Sequence, residues 1–132
     1  MKRILVIDDS TFILKTLQAV LKHEHFEVRA AQGGREAIKL LNTGFFPDLI
    51  ITDIHMPDMN GIELIALLRQ KNQLAVVPIL ILSADYSLKD DALIKELGIA
   101  EFMLKPILYD QLMQLVGQHL GMEQKAQEII YF

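Results

Sequence analysis

The sequence predicts an α/β fold, a doubly wound parallel sheet built from five βα units, on three observations. Five short apolar or strand-like runs recur along the chain, each followed by a segment whose apolar residues repeat at helical spacing. Two of the runs, at 48–52 and 78–82, are apolar almost throughout, as strands buried on both faces of a parallel sheet are. The length of 132 residues suits one domain. Strand and helix patterns in strict alternation imply a parallel sheet with helices on both faces.

The first strand is 3–7 (RILVI), ending in Asp8, Asp9 and Ser10. From Thr11 the period changes, and Ile13, Leu17, Val20 and Leu21 fall on one helical face, with Ser10 as its N-cap. Residues 26–30 (FEVRA) alternate like a strand near a sheet edge, and Gly33-Gly34 opens a helix carrying Ala37, Ile38 and Leu41 that closes near 42–44. The third strand, 48–52 (DLIIT), leads into the loop 55–61, punctuated by Pro57 and Gly61, where a positive φ is expected at Gly61. The helix at 62–70 directs Ile62, Ile65, Ala66 and Leu68 inward. Strand four is 78–82 (PILIL), and a short helix at 90–97 stops at Gly98. Strand five, 101–104 (EFML), runs into Lys105-Pro106, and an amphipathic helix at 109–120 closes the domain with Leu112, Leu115, Val116 and His119 along one side. Residues 1–120 read as the domain, and 121–132 as an extension, tail or linker stub.

Composition excludes several classes. Hydrophobic residues make up 52% of the chain and charged residues 23%, which is a folding composition. There is no cysteine, so disulfides, thiolate metal sites and a Cys nucleophile are ruled out. With 13 Lys and Arg against 17 Asp and Glu there is no basic stripe to replace phosphate counterions, so nucleic acid is not an expected partner. No apolar run approaches the ~20 residues of a membrane span, and the N-terminal run is short and meets acids at once, so a cytoplasmic protein is expected. The six methionines read as core filler, and His23 and His25 as solvated groups after the first helix.

Open parallel sheets bind ligands at the carboxyl ends of their strands. Here strand one ends in Asp8-Asp9, strand three in Asp53, strand four in Ser83 and strand five in Lys105. Three carboxylates gathered on one edge repel, and their pKa values rise unless a cation joins them. Lys105 supplies one positive charge, and a divalent ion cancels the remainder. Oxygen donors without a His or Cys cluster select a hard ion, and an open pocket with few carboxylates suits Mg²⁺. Such a pocket, with a lysine and a hydroxyl beside it, is suited to receive a phosphoryl group by in-line attack of a carboxylate. Asp8 and Asp9 are adjacent and can share a metal from the side; Asp53, alone on its strand end, is the nucleophile candidate.

These residues resemble the receiver domain of two-component response regulators, the family of the chemotaxis regulator. The resemblance runs from Lys2 to about Leu120 and rests on VIDDS (6–10), PDLIITDIHMPDMNG (47–61), ILSA (81–84) and FMLKP (102–106), in order and on the expected strands. It implies a flavodoxin-like sheet of strand order 2-1-3-4-5. It also implies that Asp53 is the phosphoacceptor, that Asp9 ligates Mg²⁺ with help from Asp8, and that His55 adds its backbone carbonyl. Ser83 would turn toward the acyl phosphate, Lys105 would pair with it, and the peptide before Pro106 would be cis, aiming Lys105 into the site.

Two positions depart from the common pattern. Phe102 stands where many members have Tyr, so it is either a switch that lacks a hydroxyl or a plain core residue. His55, two after the nucleophile, either influences the lifetime of the acyl phosphate or is simply an exposed loop histidine. Ser83 in place of the commoner Thr keeps the hydroxyl.

The function this implies is a phosphoacceptor signalling domain that assists its own phosphorylation and dephosphorylation, rather than a conventional enzyme. A phosphohistidine on a sensor kinase or phosphotransfer protein would donate, docking near Asp53 and the first helix, where Phe12 and Leu14 are read as exposed. Loop 84–89, Phe102 and helix 90–97 would form the two-state element, switching the face of helix 90–97, strand 101–104 and helix 109–120 for an output partner or a homodimer. Three other readings fit an α/β chain. A flavin electron carrier would need a Ser/Thr/Gly-rich loop where Asp8 and Asp9 stand. An aspartyl phosphatase of the haloacid dehalogenase type would place its two acids two residues apart after strand one, which Asp8-Asp9 does not match. A scaffold receiver would work without phosphorylation, although the acid, hydroxyl and lysine set is intact.

Overall fold

The computed structural model describes residues 1–122, so the extension read at 121–132 lies, from 123 on, outside the described residues. Five parallel strands, β1 (Arg3–Ile7), β2 (Glu27–Ala31), β3 (Leu49–Thr52), β4 (Ile79–Ser83) and β5 (Glu101–Leu104), form one sheet in the order β2-β1-β3-β4-β5. Helices α1 (Thr11–His23), α2 (Gly34–Asn42), α3 (Gly61–Arg69), α4 (Ala92–Glu96) and α5 (Tyr109–His119) connect and follow them, with 3₁₀ turns at Asn72–Leu74 and Tyr86–Leu88. The doubly wound α/β architecture and the expected strand order are both present.

The two-residue period of the strands decides which helix packs where. Along β1, Ile4 and Val6 point to one face, where they meet Leu14, Leu17 and Leu21 of α1 and Leu112 and Val116 of α5. Leu5 and Ile7 point to the other, against Ala37 and Leu41 of α2 and Leu64, Ile65 and Leu68 of α3. β4 divides in the same way, Leu80 and Leu82 to the first cluster and Ile79 and Ile81 to the second. Each such fully buried Leu or Ile stabilises by about 1.5–3 kcal/mol through burial, so the two layers hold the sheet edge rigid.

Several expectations shift. The buried stripe of α1 is Leu14, Leu17 and Leu21, so Leu14, read from the sequence as exposed, faces the core at 5% exposure, while Ile13 is only half-buried. A helix buries what its neighbours cover, and the sheet lies on the Leu14 side. Phe12 is 77% exposed, as expected. In α3 it is Leu64, not Ile62, that is fully buried. Helix α4 is shorter than 90–97 because Asp91 caps it, accepting the N–H groups of Leu93 at 2.9 Å and Ile94 at 3.3 Å, and a 3₁₀ turn precedes it. Gly98, at φ 69, stops it as expected.

Gly61 does not have the positive φ expected of it; its smallness is what matters. A Cβ there would lie 2.2 Å from the Asp53 carbonyl oxygen, and its N–H donates to the Ile54 carbonyl at 2.7 Å. Of the methionines, Met56 and Met103 are core residues, whereas Met1 and Met122 are exposed. No helix among the described residues is long and apolar enough to cross a membrane.

Candidate functional site

Ladder bonds continue one residue past the strands and line up their ends. The Asp8 N–H donates to the Ala31 carbonyl at 3.1 Å, the Asp53 N–H to the Ile7 carbonyl at 3.0 Å, and the Lys105 N–H to the Ser83 carbonyl at 2.9 Å. Asp8, Asp53, Ser83 and Lys105 are thereby set side by side on the carboxyl edge of the sheet by backbone geometry alone. The Lys105–Pro106 peptide is cis.

Side chains then converge across the edge. Lys105 Nζ donates to Asp8 Oδ2 at 2.7 Å and to Asp53 Oδ2 at 2.8 Å. Each carboxylate spends its other oxygen on a nearby amide: Asp8 Oδ1 accepts the Ser10 N–H at 2.9 Å, and Asp53 Oδ1 accepts the Ile54 N–H at 2.7 Å. Asp8 and Asp53 are buried and Asp9 is exposed at the rim. Carboxylate oxygens of Asp8, Asp9 and Asp53 all lie within 4.8 Å of one another.

The electrostatics follow from burial against pairing. Burial pushes the Asp8 carboxyl above its ordinary range, more than the hydrogen bonds from Lys105 and Ser10 pull it down, and the Asp53 charge adds to the rise. Burial works against the Lys105 ammonium too, but its hydrogen bonds to Asp53 and Asp8 outweigh this and hold its pKa above the usual lysine value. One ammonium against three carboxylates leaves an excess of negative charge around a cluster of oxygen donors. That donor set fits a hard divalent cation such as Mg²⁺.

Ser83 is fully buried at the end of β4, and its Oγ accepts the Asp85 N–H at 3.1 Å; among the described residues it makes no hydrogen bond to Asp53. The side chain of His55 is engaged: Nε2 lies 2.7 Å from Asp85 Oδ2, joining the loop after β3 to the loop after β4. Asp85 also accepts from the Ser87 backbone N–H at 3.0 Å and from its hydroxyl. The Ser87 hydroxyl first, then His55 and the Ser87 N–H, hold the Asp85 carboxyl below the ordinary range. Phe102 is half-buried and meets Tyr86 edge-to-face, with ring centroids 6.1 Å apart at 87°.

The residues that the sequence reading passed over are Asp85, Tyr86 and Asp58. Asp58 accepts the N–H groups of Gly34 at 3.3 Å and Arg35 at 3.0 Å, across the chain from its own loop. None of the three stands in a periodic pattern, and their partners are fixed only by the fold.

Known proteins share both sequence and shape. Residues 4–117 match the family model described as the response regulator receiver domain. The alkaline phosphatase synthesis transcriptional regulatory protein PhoP of Bacillus subtilis is 41% identical over 105 residues, 80% of this chain but 42% of its own length. The rice two-component response regulator ORR5 is 31% identical over 79% of this chain and 78% of its own length. The chain thus spans under half of the bacterial regulator and most of the plant one. Chemotaxis response regulator CheY4 of Vibrio cholerae superposes with a TM-score of 0.83 at 29% identity, over 90% of this chain and 98% of that one. Response regulator protein TrrA of Thermotoga maritima, solved in complex with Mg²⁺-BeF, superposes at 0.80 with 33% identity, over 90% and 99% of the two chains.

Proposed function

The chain belongs to the response regulator receiver domain family of two-component systems, and on that premise we propose that it accepts a phosphoryl group on Asp53 from a phosphohistidine of a sensor kinase or phosphotransfer protein. The observation that carries this reading is the buried Asp53 carboxylate, 2.8 Å from Lys105 Nζ and beside a second buried carboxylate on the open sheet edge.

In the proposed reaction a carboxylate oxygen of Asp53 attacks phosphorus in line, the O–P bond forms, and the P–N bond of a phosphohistidine already protonated on its other ring nitrogen breaks, so the ring leaves as neutral imidazole. Asp8, Asp9 and Asp53, with the backbone carbonyl of His55, would hold a Mg²⁺ ion, which when bound would supply positive charge to offset the acids and the phosphoryl oxygens. The Mg²⁺-BeF complex of the related TrrA supports that choice of ion. Lys105 exchanges part of its pairing with Asp8 and Asp53 for the phosphoryl oxygens, to which an ammonium is well suited. The Ser83 hydroxyl accepts from Asp85 and keeps its own proton free to donate to the phosphoryl group.

A phosphoryl group adds about −1.5 to −2 charge at the pocket. Turning Ser83 toward it pulls on Asp85, which holds His55 and Ser87, and the Tyr86–Phe102 ring pair lies directly beyond. The α4-β5-α5 face carries the response, and its exposed Leu93, Leu104 and Leu108 offer apolar contacts to an output partner or a second copy. Phe102 acts there by repacking, without a hydroxyl.

Intact mass spectrometry after incubation with Mg²⁺ and acetyl phosphate tests the reading. One phosphoryl group is expected on the wild-type chain and none on Asp53→Asn. Equal labelling of the two chains overturns it.

A further inference from the structure

We propose that Asp58 is a positioning residue for the acidic pocket: it pins the loop that follows Asp53 to the N-terminus of α2, and so holds the backbone at residue 55 beside the carboxylates. This rests on the function proposed above and deepens it.

Three features of the structure point to Asp58. First, α2 begins without a capping side chain of its own, since its cap residue is Gly33. The Asp58 carboxylate, arriving from another loop, takes the Gly34 and Arg35 N–H groups instead, where the helix dipole favours a negative charge. Second, Gly33 has φ −179, extended backbone that any residue adopts, so its glycine is not there for conformation. It makes room: a Cβ at Gly33 would lie 2.5 Å from Asp58 Oδ1, and one at Gly34 would lie 2.9 Å from Met59 Sδ. Third, the far end of the same loop is closed by Gly61, whose N–H bonds the Ile54 carbonyl and whose missing Cβ lets the Asp53 carbonyl approach.

Residue 55 lies between Ile54, whose carbonyl Gly61 holds, and Asp58. A backbone carbonyl has no rotamer with which to find a metal; where it points is decided by the loop that carries it. Gly61 fixes the loop to its own start, and Asp58 fixes it to the rest of the molecule. The Asp58 carboxyl is also held below its ordinary range, by the Arg35 N–H first and the Gly34 N–H after, as expected of a carboxylate that stays ionised in that role.

The test is a Mg²⁺ titration of the full chain followed by amide shifts of Asp9, Ile54 and His55 in ¹H–¹⁵N NMR, on wild type, Asp58→Ala, Asp58→Asn and Gly33→Ala. Asp58→Ala is expected to raise the half-saturating Mg²⁺ about tenfold, the lower end of what changing a residue that orients metal ligands costs. Asp58→Asn, which keeps an acceptor oxygen, should fall between the two. Gly33→Ala should act in the same direction, and its combination with Asp58→Ala should be no worse than the worse single change, because both act through one contact. If the Gly34 and Arg35 amides lose protection in Asp58→Ala while the half-saturating Mg²⁺ is unmoved, Asp58 merely caps α2 and the proposal is wrong. A wild-type chain that gives no Mg²⁺ response is a different result: it overturns the proposed function and this inference with it.

Discussion

Asp8 is held in the pocket against the cost of its own burial. Its folded pKa is raised by burial, so the folded chain keeps this proton to higher pH than the unfolded chain does. The sign of the linkage follows: the group favours folding below the unfolded value of about 3.8, and that support is lost as pH rises through the elevated folded value. Buried Asp8 therefore contributes less stability as pH rises when no divalent ion is present. Asp8→Asn is expected to melt a few degrees above wild type in EDTA at pH 7, with the gap narrowing toward pH 4 and shrinking when Mg²⁺ is added. Thermal melts by circular dichroism across that range check it; a variant that melts below wild type at pH 7 contradicts the account. The types and signs of these residues were legible in the sequence, because acids and a lysine closing apolar runs on one sheet edge must meet. The distances were not. Lys105 bridges Asp8 and Asp53, and His55 reaches Asp85, through rotamers that only the packed edge decides.

Elements were legible where their periodicity was strong. β5 spans the expected 101–104, and Ser10 caps α1 as read, its Oγ accepting the Ile13 N–H at 3.3 Å. The hidden part lies where a residue acts against its type. His25 is the example: it ends the turn after α1 at φ 67, a conformation that glycine normally supplies, with the Phe26 N–H bonding back to the Leu21 carbonyl at 3.2 Å. A left-handed residue with a Cβ costs about 1–2 kcal/mol, and glycine gives back about 0.5–1 kcal/mol of that in backbone entropy. His25→Gly is thus expected to stabilise by about 0.5–1 kcal/mol, a rise of about 2–4 °C in Tm. A fall in Tm would show that the His25 side chain contributes more than its strained backbone costs. The same blindness concealed the reason for Gly61 and Gly33, which are small so that Asp53 and Asp58 can approach.

Across the whole molecule, the order β2-β1-β3-β4-β5 is what turns four distant stretches of chain into one pocket. With β3 central and β1 and β4 on either side, Asp53 sits between the Asp8-Asp9 pair and the Ser83–Lys105 side, and two apolar layers keep that edge from shifting. In the proposed function this arrangement makes Asp53, and no other acid of the cluster, the residue that becomes an acyl phosphate. The most direct measurement is borohydride reduction after treatment with Mg²⁺ and acetyl phosphate, followed by peptide mass mapping, since hydride converts an aspartyl phosphate to homoserine and leaves free carboxylates alone. Homoserine at position 53, absent when Mg²⁺ is chelated, is the expected result. Homoserine at position 8 or 9, or at none of the three, contradicts it.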